Sequence, residues 1–184
     1  MSQELLTAKE LARRLLHPTS LDYALTSGVF VESSSPQEAS LFMEDLAKDL
    51  KNCNVAVLRI HAKDLILPDA QAHLMANLRT LSSDEGAHLE SHYEVTPANL
   101  AARILRRRNV IVAMLIDEAE ALLGEAGERS MKALKSVRDA VNLSSAGSEQ
   151  LLLVATCVWP SSAESFVFDS AQAFYGATAI VGRL

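Results

Sequence analysis

Aromatic residues are scarce in this chain, at 5%, and so are glycine, with seven, proline, with five, and cysteine, with two. Few aromatics beside abundant alanine and leucine disfavour an all-β sandwich and favour helices packed on a sheet. Cys53 and Cys157 each lie beside or within an apolar run, so they suggest no disulfide framework and suit small buried thiols. Positive charge is the minority sign: 17 Lys and Arg against 23 Asp and Glu leave a net charge of −6, which disfavours generic nucleic-acid binding. No segment approaches the roughly 20 apolar residues that span a bilayer. Glu4, Lys9, Glu10, Arg13 and Arg14 interrupt the leucines near the N-terminus, where a signal peptide would be unbroken. The expectation is a cytoplasmic chain with no membrane partner. At 184 residues and 49% hydrophobic content, residues 1–184 are expected to form a single domain.

What is present is an alternation of helical and strand-like segments. Leu5, Leu6, Leu11, Leu15 and Leu16 lie near helical spacing, and Thr7 with Glu10 has the form of a capping box, which predicts a helix over 3–16. Gly28-Val29-Phe30-Val31 predicts a short buried strand. Ser35-Pro36-Gln37-Glu38 then reads as an N-cap, a first-turn proline and a capping-box glutamate, opening a helix to about Leu50. Asn54–Ile60 and Val110–Ile116 predict two further strands, the latter apolar enough for a central parallel strand covered on both faces. Helical patterns follow over 69–81, 96–108 and 126–142, with a polar loop over 82–95. Leu151–Ala155 and Ala177–Val181 complete five strands. Strands alternating with helices imply right-handed crossovers, hence a three-layer α/β sandwich with a five-stranded, mostly parallel sheet.

The most informative segment is Leu115-Ile116-Asp117-Glu118-Ala119-Glu120, an apolar strand that ends in paired carboxylates. In an open α/β sheet ligands bind at the carboxyl ends of strands, so Asp117 and Glu118 are placed to hold a metal ion and polarise a water. This is the form of a Walker B motif, with Asp117 on Mg²⁺ and Glu118 orienting the attacking water in a working enzyme. The same residues also fit a buried strand that leads into an acidic helix start.

With Gly28–Val31 before a helix, Leu115–Leu123, and Leu151-Leu152-Leu153-Val154-Ala155-Thr156, nearly the whole chain resembles AAA+ ATPases of the P-loop class. It resembles in particular the bacterial group that includes ATP-binding proteins of phage-exclusion (BREX) systems and transposition ATPases. The resemblance implies a sheet order 5-1-4-3-2 and Thr156 in the sensor position that reads a γ-phosphate. It also implies membership of a defence, mobile-element or DNA-maintenance assembly.

The departure from that family lies after the first strand, where G-x-x-x-x-G-K-[ST] is expected and Ser33-Ser34-Ser35-Pro36-Gln37-Glu38-Ala39-Ser40 stands. Glycines let successive N–H groups curl around phosphates while a lysine contacts the β and γ groups. Here Ala39 takes the lysine position and Ser40 keeps the hydroxyl; a register shifted by one residue puts Glu38 there instead. Ser33, Ser34, Ser35 and Ser40 are what a degenerate phosphate loop would offer. Glu32 and Glu38 are expected to add negative charge: like charges about 4 Å apart cost roughly 4 kcal/mol at an effective dielectric near 20, close to a thousandfold in affinity. Glu38 is also expected to answer the helix N-terminal N–H groups itself.

Between Cys157 and Gly182 there is no Arg or Lys to serve as an arginine finger, and Arg183 reads either as a sensor-like remnant or as the start of a lid domain, which is expected to be absent. The leading expectation is therefore a pseudo-ATPase that needs no cofactor and serves as an interaction module for a protein partner, either a catalytic AAA+ subunit or a second copy. One alternative is a divergent ATPase that binds Mg-ATP through Ser33–Ser35 and Asp117-bound metal. Another is a nucleic-acid adaptor acting through Arg103, Arg106, Arg107 and Arg108, a cluster that also suits a charged helix end. His88, Glu90, His92 and Glu94 lack the spacing of a zinc helix and read as a solvated loop. Trp159, Phe166, Phe168, Phe174 and Tyr175 read as core, or else as an exposed anchor for a partner.

Overall fold

Val112–Asp117, at the end of the most apolar run, is buried at every position, as a strand covered on both faces must be. In the computed structural model it is one of six parallel strands among the described residues: β1 (Glu4–Thr7), β2 (Val29–Ser33), β3 (Ala56–His61), β4 (Val112–Asp117), β5 (Leu151–Val158) and β6 (Thr178–Arg183). The structure describes residues 4–19, 27–66, 111–144, 150–158, 162–169 and 177–183, with Leu25, Ala72, Ala76, Ala173 and Phe174. The strand order is β1-β6-β2-β5-β4-β3. The five expected strands are β2 to β6, and they stand in the expected relative order. The addition is β1, which pairs with β6 at the sheet's outer edge.

That addition corrects the reading of residues 3–16 as one helix. Glu4–Thr7 is extended, with Leu6 buried and Leu5 exposed, the period-2 alternation of a strand with one face inward. The helix α1 (Ala8–Leu16) begins only after Thr7, which caps it. Thr7 Oγ1 accepts from Glu10 N–H at 3.3 Å, while Thr7 N–H donates to Glu10 Oε2 at 2.9 Å. Both halves of the expected capping box are present.

The sheet's two faces are covered by different helices. On one, α1 and α2 (Pro36–Asn52) bury Leu11, Leu15, Phe42, Met43, Leu46 and Leu50 against Val29, Val31, Ala113, Leu115, Leu152 and Val154. On the other, α3 (Glu125–Ser144), α4 (Ser162–Phe168) and the 3-10 turns Ala62–Leu65 and Ala119–Leu122 pack on Phe30, Met114, Ile116 and Leu153. The result is a three-layer sandwich. Phe30 stacks on Phe166 with ring centroids 4.8 Å apart and meets Phe174 edge-on at 5.7 Å, geometries worth about 0.5–1.5 kcal/mol per pair beyond area burial. Phe166 and Phe174 are therefore core as expected, whereas Phe168 is exposed. Buried Arg138 ties α3 to the segment before β2, donating to the Ser27 carbonyl with its guanidinium 5.2 Å from the Phe174 ring centroid.

Gly182 lets α2 sit close to β6. A Cβ there would lie 2.8 Å from Val31 Cγ1 and 3.1 Å from Phe42 Cδ2. The predicted helix 69–81 lies outside the described residues except for Ala72 and Ala76, and the helix 96–108, the loop 82–95, Trp159, Tyr175, His88, Glu90, His92 and Glu94 lie outside them altogether.

Candidate functional site

Alternation along each strand assigns the polar residues at the carboxyl edge of the sheet to one face or the other. Val31, Leu115 and Val154 face α1 and α2, so Ser33, Asp117 and Thr156, each two residues further on, share that face. So does Arg59 on β3, which is paired in register with Leu115. Helix α2 starts above them and brings Ser40 within reach.

The centre of this group is an ion pair. Arg59 Nε donates to Asp117 Oδ2 at 2.6 Å and a terminal nitrogen, Nη2, donates to Oδ1 at 3.3 Å, the fork geometry that makes arginine–carboxylate pairs strong. The same Nη2 lies 3.1 Å from Ser40 Oγ. Arg59 thus bridges two residues that sequence reasoning had singled out, while not being one of them itself. Asp117 is buried and Ser40 exposed.

The connection between β2 and α2 is short. The strand ends at Ser33 and the helix starts at Pro36, leaving Ser34 and Ser35 as the whole turn. Ser35 is the N-cap, its hydroxyl accepting from Glu38 N–H at 3.2 Å, with Pro36 at the start of the helix, as expected. The Glu38 carboxylate does not return to the Ser35 N–H as in a standard capping box. It accepts from Ser34 instead, from N–H at 3.3 Å and from the hydroxyl. Among the described residues, none from Val29 to Cys53 has a positive φ. A phosphate nest built from successive N–H groups needs right- and left-handed residues in alternation.

Glu32 departs from expectation. It lies on the opposite sheet face, with Phe30, where it is buried and accepts from Ala163 N–H at 3.3 Å. Its charge therefore does not stand beside Glu38. Its Oε2, like that of Glu120, is buried without a hydrogen-bond partner. Cys157, opposite Glu32 in register, is also buried; burial first, then the charges of Glu120 and Glu32, push its thiol well above the ordinary range.

Glu118 follows β4 in the left-handed region, at φ 57° and ψ 47°, and is exposed. Thr156 is buried, and its hydroxyl has no hydrogen-bond partner. The described residues thus bring Ser40 and Asp117 together through Arg59, place Ser33 and Thr156 on the same face, and leave Ser34 and Ser35 in the turn. Arg103, Arg106, Arg107 and Arg108 lie outside the described residues. Arg183 ends β6 and lines a notch with Thr7, Lys9, Asp45 and Lys48, of which Asp117 is not a lining residue. Among the described residues, no cluster of His, Cys, Asp and Glu suits a metal ion, and no helix is long and apolar enough to cross a membrane.

No family model and no curated protein matches the sequence. Solved structures do match the fold. The FIGL-1 AAA domain in complex with ADP aligns with a TM-score of 0.53 at 16% identity over 95% of this chain and 49% of that one. PCH-2 of C. elegans aligns with 0.52 at 16% identity over 95% and 40%, and the Drosophila ORC bound to DNA with 0.57 at 15% identity over 95% and 46%. The chain spans less than half the length of each of these. It has the fold of an AAA+ ATPase domain of the P-loop type.

Proposed function

We propose that this chain is an AAA+-like module that neither grips nor hydrolyses a nucleoside triphosphate and acts through protein contacts. The observation that carries the reading is the two-residue turn Ser34–Ser35, closed on itself by Glu38. A triphosphate needs several backbone N–H groups converging on it and a cation among them. This turn has no left-handed residue, its helix start is capped by Ser35, and Glu38 sets a negative charge where phosphate would lie. The degenerate phosphate loop is in this view a plain capped helix. No cofactor is then required, and the partner is a protein, either a catalytic AAA+ subunit or a second copy. Membership of a defence, mobile-element or DNA-maintenance assembly is supported by the family resemblance. Isothermal titration with Mg-ATP is expected to give no heat at micromolar concentrations, and tight binding would overturn the reading.

A second reading draws on Thr156, whose buried hydroxyl lacks a partner on the face shared with Asp117. In a divergent ATPase it would contact a γ-phosphate, with Asp117 and Glu118 as the catalytic carboxylates. Steady phosphate release, lost in Asp117→Asn and Glu118→Gln, would favour it; no release removes it.

A further inference from the structure

A P-loop enzyme holds its divalent cation between the Walker B aspartate and the Ser/Thr hydroxyl of the phosphate loop, at the start of the helix that follows that loop. Taking Asp117 and Ser40 as that pair, which rests on the site reading above, the space between them holds a guanidinium. Arg59 places Nε 2.6 Å from Asp117 Oδ2 and Nη2 3.3 Å from Oδ1 and 3.1 Å from Ser40 Oγ. Both carboxylate oxygens and the hydroxyl are thereby engaged by donors. Mg²⁺ requires near-octahedral oxygen ligands at about 2.0–2.1 Å and would meet a fixed positive charge instead. The residues present do not fit the metal.

We infer that Arg59 is a built-in replacement for the divalent cation, bridging Asp117 and Ser40 and closing this site to Mg²⁺ and Mn²⁺. The geometry is more specific than a surface ion pair. Arg59 stands opposite Leu115 in register, and its side chain reaches diagonally along the sheet to Asp117, two residues onward. Its third contact, to Ser40, crosses to another element, α2.

The test is Mn²⁺ binding, followed by loss of the free-ion electron paramagnetic resonance signal on the full chain. Wild type is expected to leave that signal unchanged at millimolar Mn²⁺. Arg59→Met keeps the length of the stem and removes the charge, and it is expected to bind Mn²⁺ at least about tenfold more tightly than wild type. Adding Asp117→Asn to it should abolish the gain. Wild-type binding that disappears in Asp117→Asn overturns the assignment, and so does a folded Arg59→Met that gains nothing. Arg59→Gln is the second variant, read in the same way. If neither folds, the Arg59 Nε–H resonance of the wild type decides, assigned by its absence in Arg59→Lys. A signal unmoved by millimolar Mg²⁺ supports the bridge, and displacement overturns it. No nucleotide is present, so a metal-binding chain that ignores ATP sinks this assignment alone, whereas an ATP-binding chain that ignores free metal sinks the proposed function alone.

Discussion

Glu38 reaches back along the chain to Ser34, taking up both its N–H and its hydroxyl, so that one carboxylate closes the turn from which its own helix starts. That contact combines a cap with a favourable charge at a helix N-terminus. Glu38→Ala is expected to destabilise the chain by about 1 kcal/mol, measured as a lower urea midpoint at unchanged slope. Its Mg-ATP isotherm should stay flat, because removing the carboxylate lengthens no turn. Nucleotide binding gained by this one change would mean that charge alone had kept phosphate out.

Glu118 carries the left-handed backbone immediately after β4, a conformation in which a side chain costs roughly 1–2 kcal/mol and glycine far less. Glu118→Gly is expected to raise stability by up to about 1 kcal/mol, after the glycine's extra freedom in the unfolded chain is subtracted. A lower melting temperature would mean that the exposed carboxylate supports the fold in a way its surroundings do not suggest.

Glu10 provides a pH dependence whose sign can be worked out. The Thr7 N–H and then the Thr7 hydroxyl, with smaller help from Arg13 and Arg183, hold its carboxyl below the ordinary value of 4.5. A carboxyl with a lower pKa in the folded state stabilises the fold fully above its unfolded pKa and stops doing so as pH falls through the folded one. Glu10→Gln should therefore melt below wild type at neutral pH, with the gap closing as the solution is acidified past 4.5. A gap that is constant with pH would remove the charge from the account.

The two thiols should separate by reactivity. Cys53 is exposed, and Cys157 is buried with its thiol pushed up, so a disulfide reagent is expected to modify Cys53 alone in the native chain. Cys157 should react only on unfolding, and a native Cys53→Ser variant that reacts rapidly would contradict the packing between β5 and α4.

Much of the fold is legible in the sequence because long apolar runs and capping residues are local signals. Val110–Ile116 announces a central strand, and Ser35-Pro36 marks a helix start to the residue. The first strand is not legible, since four residues in which Leu5 and Leu6 are adjacent satisfy a helical and an extended pattern equally well. Arg59 is the larger omission. Within Ala56–His61 it reads as the outward residue of an edge strand, and its partner Asp117 is 58 positions away. A signal existed: the order 5-1-4-3-2 sets those two strands side by side, and a cation two residues short of the level of an aspartate is within its reach. Glu32 is legible by alternation from Phe30, which puts it on the other face, but not by its charge.

The pairing of Thr7 with Arg183 has a consequence for how the chain is made. A ribosome delivers β1 before the other described strands of the sheet, yet its hydrogen-bonding partner β6 emerges only after all of them. Helix α1, whose cap is local, can form at once, but the extended tetrapeptide before it must wait with its backbone groups satisfied by water alone. Sealing that edge is thus the topologically most distant event in assembly, and such non-local closures are the slow ones.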